Sequence, residues 1–278
     1  MSGQVEALIV DLDGVVYTGG EACPGAAAGL QDARDAGVAL LFMTNNASRT
    51  PGQVAEHLGS VGVPASPDEV LTSSQVGAAH LAELREQEGL ADQDPLVLAV
   101  GGPGVVEALR EVGLSVVTAP PSREQGGPRG AVWAVLQGYG PDMMVRDLHE
   151  AAYAITAGAH WVATNTDATL PTPRGLVPGN GALVAAVTHG TGATPVVAGK
   201  PHGPAYRIAL ERLGLPADRV LAVGDRLDTD IDGALDAGVP AALVLTGVST
   251  RAEADALASE RRPQHIAETI PDLAHLWR

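Results

Sequence analysis

Phenylalanine, cysteine and lysine occur once each in these 278 residues, and aromatic residues make up 3% of the chain. A lone cysteine, Cys23, excludes a disulfide framework and makes a reducing cytoplasm the expected compartment. No stretch of about eighteen apolar residues runs free of charges or breaks, so no membrane span is expected. No basic segment precedes Leu8-Ile9-Val10, and Asp11 interrupts that run, so no signal peptide is expected. The eight histidines show no pairing at metal-ligand spacing, which argues against zinc. Positive charge is scarce: 17 Lys and Arg against 33 Asp and Glu give a net charge of −16 and a pI near 4.7. That balance argues against nucleic acid or an anionic membrane as the main partner. An anionic ligand would need a local cation to overcome the overall field.

Against that background the single lysine, Lys200, is informative. Sixteen of the 17 basic residues are arginine, as though arginine stands wherever either would serve. A compact ammonium on a flexible stem suits one phosphate oxygen or one carboxylate, where a planar guanidinium imposes a fork. Lys200 closes the apolar run Val196-Val197-Ala198-Gly199, and Pro201 halts it. A surface lysine that survived by chance is the plain alternative, and the apolar approach argues against it.

Three further apolar runs end in polar residues. Ala7-Leu8-Ile9-Val10 leads into Asp11-Leu12-Asp13-Gly14, and carboxylates at i and i+2 of an extended strand project to one side. Like charges so placed repel unless a cation or a shared proton intervenes; a solvated Asp-x-Asp-Gly turn would carry the same residues. Val38-Ala39-Leu40-Leu41-Phe42-Met43 ends in Thr44-Asn45-Asn46, which offers uncharged donors to an anion or an ordinary helix N-cap. Val220-Leu221-Ala222-Val223-Gly224 ends at Asp225, and Asp230 falls near the start of the helical pattern that follows, where negative charge is favoured. Asp228 caps that helix or faces water. In an open parallel α/β sheet the carboxyl ends share one edge, and ligands bind there. Carboxylates, neutral donors and one ammonium together suit a phosphate ester held by Mg²⁺.

These ordered motifs resemble the haloacid dehalogenase superfamily of phosphatases, and most of all the branch with the para-nitrophenyl phosphatases and NagD. The resemblance rests on Asp11-Leu12-Asp13-Gly14-Val15 with Tyr17, Thr44-Asn45-Asn46-Ala47-Ser48-Arg49, Gly199-Lys200-Pro201 and Gly224-Asp225-Arg226-Leu227-Asp228-Thr229-Asp230-Ile231. Ala163-Thr164-Asn165-Thr166-Asp167, Pro178-Gly179-Asn180-Gly181-Ala182 and Leu245-Thr246-Gly247-Val248 are also similar to this branch. The resemblance implies that Asp11 is the nucleophile of an aspartyl-phosphate intermediate and Asp13 the general acid, then base. It implies Mg²⁺ bound by Asp11, Asp225 and the backbone carbonyl of Asp13, with Asp230 in an outer ring orienting Lys200 or a metal-bound water. Thr44, Asn45 and Asn46 would bind the phosphoryl group, and Lys200 would balance its charge.

Helix and strand patterns alternate over residues 1–81, with strands at 5–12 and 38–44, helices at 25–36 and 51–61, and a strand pair near Val70-Leu71-Thr72. Residues 183–278 repeat the alternation, with strands at 195–198, 219–223 and 240–245 and helices at 203–213 and 230–237. Gly37, Gly62, Gly214 and Gly238 stand just past helix ends. Residues 82–182 continue a cycle of their own: helix 76–86, strand 96–100, helix 104–111, strand 115–117, a polar stretch at 120–128, then strand 131–136. The expected fold class is therefore α/β: a doubly wound, Rossmann-like core of residues 1–81 plus 183–278 with an inserted α/β domain at 82–182. The resemblance implies that the insert is a cap that selects the substrate through Asn165, Asp167, Thr169 and Leu170. Related pyridoxal phosphate phosphatases carry histidine about where Leu170 stands, which argues against that substrate.

The expected activity is hydrolysis of small phosphate monoesters, with glycerol phosphate first and nucleoside monophosphates or sugar phosphates next. A small phosphorylated metabolite is the expected partner, and the resemblance implies a dimer through the caps. A phosphomutase or other phosphotransferase, a phospho-acceptor module and a non-catalytic metabolite binder are the alternatives on this fold. Gly101-Gly102-Pro103-Gly104 lacks dinucleotide-loop spacing. Trp133, Trp161 and Trp277 read as packing residues, and Pro178-Gly179-Asn180-Gly181 as a hinge.

Overall fold

A computed structural model describes residues 5–120, 131–172 and 174–278. The chain begins with β1 (Ala7–Val10), a short hairpin of β2 (Tyr17–Thr18) and β3 (Glu21–Ala22), α1 (Ala26–Asp35), β4 (Ala39–Thr44), α2 (Pro51–Ser60) and β5 (Val70–Thr72). It continues through α3 (Ser73–Gln87), β6 (Leu96–Val100), α4 (Pro103–Glu111), β7 (Ser115–Val117), β8 (Val132–Gln137), α5 (Val145–Thr156) and β9 (His160–Ala163). A hairpin of β10 (Thr169–Thr172) and β11 (Gly175–Pro178) precedes α6 (Asn180–Thr191) and β12 (Val196–Val197). Last come α7 (Gly203–Leu213), β13 (Val220–Gly224), α8 (Asp232–Asp236), β14 (Ala241–Val244), α9 (Arg251–Ala256) and β15 (His265–Ala267). Among the described residues no helix is long and apolar enough to cross a membrane.

Two compact units result. The first comprises Met1–Thr44, Pro51–Leu71 and Lys200–Arg278; the second comprises Asn45–Thr50 and Thr72–Gly199. In the first, six strands lie in the order β15-β14-β13-β1-β4-β5. Parallel registers place Ile9 between Ala222 and Leu41. Leu8, Val10, Leu40, Phe42, Leu221 and Val223 alternate onto one face, where they pack with Leu30 of α1 and Leu58 of α2. Ile9, Leu41, Ala222 and Leu243 on the other face are also buried, as a parallel sheet covered on both sides requires.

The second unit has its own parallel sheet, ordered β12-β9-β8-β6-β7. Leu98, Val135 and Trp161 pack there with Ile155 of α5 and Val187 of α6.

Several expectations change at this level. The boundaries expected at 81/82 and 182/183 fall inside α3 and α6, whereas the compact units divide at 71/72 and 199/200. The cause is pairing. Val196 and Val197 hydrogen-bond alongside Val162 and Ala163 of β9, so the strand expected in the core sheet completes the second unit's sheet instead. Near 70–72 there is one strand and not a pair. Gly179-Asn180-Gly181 lies within the second unit and is no crossing point between units; a Cβ on either glycine would overlap main chain at Thr166 and Asp167. The helix expected from 230 begins as a wide turn with π-type hydrogen bonding over Leu227–Ile231. Residues 121–128 of the expected polar stretch lie outside the described residues.

Candidate active site

Two of the first unit's strands stop on aspartates that share one lysine's neighbourhood. Asp11 follows β1 and Asp225 follows β13, while Asp230 comes from the wide turn after β13. Lys200 is 5% exposed. Its ammonium donates to Asp11 Oδ1, to Asp230 Oδ1 at 2.8 Å and to the main-chain oxygen of Met43 at 3.1 Å. Three acceptors around one nitrogen match the three protons of an ammonium. A planar guanidinium cannot serve three acceptors converging on a single point, which is the physical content of the solitary lysine.

Asp230 is itself held from several sides. Its Oδ2 accepts the backbone N–H of Arg226 at 3.1 Å, and its main-chain oxygen accepts the Tyr206 hydroxyl at 2.7 Å. A Cβ at Gly224 would overlap the Asp230 side chain, so only glycine lets the aspartate fold back against the strand end. Asp228 is exposed and forks onto Arg226 at 3.1 and 2.9 Å, in agreement with its expected place in solvent.

Asp225 shows what the cluster is missing. Its Oδ2 accepts the backbone N–H of Val248 at 2.7 Å, but its Oδ1 is buried with no hydrogen-bond partner. A Cβ on Gly14 or Gly247 would overlap this carboxylate, so two glycines shape its cradle. Oxygens of Asp11, Asp225 and Asp230 lie within 4.8 Å of one another, the one such acidic or histidine group among the described residues. Both Asp230 oxygens already accept hydrogen bonds, which leaves the carboxylates of Asp11 and Asp225, with its unsatisfied buried oxygen, as hard donors that fit a hard divalent cation.

The electrostatics agree with that reading. Burial pushes the Asp11 carboxyl well up, and Asp230 and Asp225 add to the rise against the opposing pull of Lys200. Burial and Asp230 likewise lift Asp225 to about 6. The paired carboxylates hold the Lys200 ammonium protonated, well above the ordinary lysine range, despite its burial. One ammonium among three carboxylates leaves negative charge uncompensated.

The remaining expected residues fall into two groups. Thr44, which ends β4, is buried in the first unit. Asp13 is exposed while Leu12 is fully buried, and Gly14 turns the chain at φ +85° directly after it. Because β1 ends at Val10, strand alternation does not extend to Asp13, and its carboxylate lies outside the close oxygen cluster. Asn45 and Asn46 belong with Asn165, Asp167 and Leu170 in the second unit. There the Asn45 amide donates to Asp167 Oδ2 at 3.3 Å, and the Asn165 amide donates to the Asn45 main-chain oxygen at 2.7 Å. Asn165 is 4% exposed, so its side chain braces the loop from within. The Asn46 side-chain oxygen accepts both N–H and hydroxyl of Ser48 at 2.9 Å, a local turn close to the N-cap alternative. Leu170 is half-buried in β10, opposite Val177.

Sequence reasoning passed over Tyr206 and gave no role to Gly247 and Val248. Nothing in the helical spacing of Tyr206 separates it from a core aromatic.

Comparison with known proteins fits this geometry. Residues 8–115 match the haloacid dehalogenase-like hydrolase family, and residues 197–273 match a HAD-hydrolase-like family. A D-glycerol 3-phosphate phosphatase of Mycobacterium tuberculosis is 42% identical over 268 residues, covering 96% of this chain and 70% of its own. The chain belongs to the haloacid dehalogenase-like hydrolases. A second relative in this family, the 5′-nucleotidase YutF of Bacillus subtilis, is 36% identical over 87% of this chain and 88% of its own. The crystal structure of the M. tuberculosis glycerol phosphate phosphatase in complex with magnesium superposes with a TM-score of 0.85 at 41% identity, covering 97% of this chain and 76% of that one. The family resemblance drawn from the ordered motifs and the α/β class drawn from the alternating strands and helices are borne out.

Proposed function

We propose that this hydrolase is a Mg²⁺-dependent phosphatase of small phosphate monoesters, working through an aspartyl-phosphate at Asp11. The observation that carries the reading is the half-satisfied buried Asp225 beside the Asp11–Lys200–Asp230 cluster. Asp11, Asp225 and the carbonyl of Asp13 would hold the ion, which supplies the positive charge that keeps Asp11 ionised and offsets charge on the phosphoryl oxygens.

In the first half-reaction an Asp11 oxygen forms a bond to phosphorus as the ester P–O bond breaks in line. Asp13, exposed two residues further along the chain, gives its proton to the departing alcohol oxygen. In the second half-reaction Asp13 takes a proton from water. The water oxygen bonds to phosphorus, and the Asp11 carboxylate leaves. Lys200 keeps one donor on the Asp11 side of the centre, and Thr44 supplies a neutral donor to the phosphoryl oxygens. Asp230 touches no reacting atom and acts by holding Lys200.

A three-carbon polyol phosphate such as glycerol phosphate is the preferred substrate class, supported by the 42% identity to the mycobacterial enzyme. Nucleoside monophosphates are the second reading, supported by the nucleotidase relative. The buried, unpaired Cys23 suits a reducing cytoplasm. The test is phosphate release from a panel of esters, with Mg²⁺ and with chelator, for wild type and Asp11→Asn. Release that needs the metal and vanishes in the variant supports the reading. An isomerised sugar phosphate without free phosphate would make the protein a mutase.

A further inference from the structure

Lys200 and Asp230 reach each other from segments 30 residues apart in sequence. Lys200 stands just before α7, and Asp230 stands in the wide turn before α8. Something has to fix the distance between these two segments, because the ammonium is placed by bonds from both. Tyr206, in the first turns of α7, is 1% exposed and joins them: its hydroxyl donates to the main-chain oxygen of Asp230 at 2.7 Å. Its ring sits where a Cβ on Gly233 of α8 would strike it at 2.7 Å, and the same Cβ would meet Pro201 at 2.8 Å. Lysine segment, tyrosine and aspartate turn are thus packed without slack on one side of the cluster.

We propose that Tyr206 is a positioning residue that pins the Asp230 turn to α7 and thereby sets where the Lys200 ammonium stands. Phenylalanine at this position would keep the packing and lose only the hydrogen bond. The Asp230 peptide would then drift by a few tenths of an ångström, and the Asp230 carboxylate would move with it. Lys200 would spend more time away from Asp11. The catalytic part of this inference rests on the phosphatase reading, whereas the placement of the ammonium does not.

The single lysine makes the placement measurable. An amine-acylating reagent can report on Lys200 through one arginine-bounded tryptic peptide, residues 175–207, without interference from any other lysine. The experiment compares wild type, Tyr206→Phe and, as a control for loosened packing in α7, Ile208→Val. Acylation of Lys200 should run about five- to tenfold faster in Tyr206→Phe, and kcat should fall about tenfold with KM within about twofold. Ile208→Val should leave both near wild type even where its Tm falls as far. Unchanged acylation or unchanged kcat in Tyr206→Phe would overturn the proposal, as would an Ile208→Val enzyme that reproduces both changes. If wild type hydrolyses no ester, the phosphatase reading fails, and the acylation rates alone decide the placement.

Discussion

Each unit buries a polar cluster where its parallel strands end, and the two clusters are chemically opposite. In the first unit Asp11 and Asp225 follow β1 and β13, with Asp230 and Lys200 beside them. In the second, β8 closes on Gln137, β9 is followed by Thr164 and Asn165, and Asn180 opens α6; all four are buried and none is charged. The neutral cluster bonds mainly to main chain: Asn180 donates to the Asn165 oxygen and Asn165 to the Asn45 oxygen, both at 2.7 Å. Such bonds shape a loop and leave no net charge to balance, although Gln137 Nε2 and Asn180 Oδ1 are buried without a partner. Three carboxylates around one ammonium do ask for something, namely more positive charge. Topology gives both units the same kind of edge, and charge is what sets the two edges apart.

Removing a charge from the ionic cluster should therefore have the largest effect on turnover. Asp11→Asn should lower kcat by about 10³-fold or more while the protein still folds, since the amide removes the proposed nucleophile and some of the carboxylate repulsion. Circular dichroism and single-turnover phosphate release check the two halves of that statement. Lys200→Arg should follow at about 10²-fold, despite retained charge, because a fork cannot replace an ammonium shared among Asp11, Asp230 and Met43. A Lys200→Arg enzyme with most of its activity would show that net charge alone matters in this cluster.

How far the two clusters can be read from sequence differs for physical reasons. Asp11, Thr44, Lys200 and Asp225 are legible because apolar runs of strand length stop at them. The pairing of Lys200 with Asp230 is a contact between distant segments, and only the family resemblance brings it near. The shortest strands are less legible in either unit: β9 in the second has four residues and β15 in the first has three, too short to show a period. Val196-Val197 reads as a strand correctly, but a local pattern carries no information about which sheet it joins. Asn165 enters as a substrate residue by resemblance, while its burial and main-chain partner come only from the structure. Burial of all three tryptophans as packing residues holds best for Trp277 and Trp161, at 1% and 6% exposed.

The charge deficit also makes a pH prediction. Asp225 sits near 6 against an ordinary value of 3.8, raised by burial and by Asp230, and Asp11 is raised in the same direction. Between those values the folded protein binds more protons than the unfolded chain, so this contribution to stability is full below about 4 and is lost as pH rises through 6. For Asp225 alone the linkage is worth about 3 kcal/mol. Mg²⁺ favours the ionised carboxylates and should cancel the loss. Melting temperatures in Mg²⁺ and in chelator should accordingly diverge as pH rises from about 4 to 7. A gap that stays constant over that range would place the ion away from Asp225 and Asp11.

The smallest expected effect on turnover tests the neutral cluster. Asn180→Leu keeps the branched outline of the side chain, with bulkier methyl ends, but removes the donor to the Asn165 oxygen and the longer bond to the Gln137 oxygen at 3.4 Å. Two buried carbonyls lose a partner, which should lower unfolding free energy by about 1–3 kcal/mol in urea titrations. The leucine would also relieve the buried Asn180 Oδ1, which has no hydrogen-bond partner, so the loss should fall toward the lower end. Because no charge changes, kcat/KM of the folded enzyme should stay within about twofold. A variant with intact stability and collapsed kcat would reverse the contrast, because the amide edge would then be contributing to the reaction and not only to the shape of the loop at Asn45.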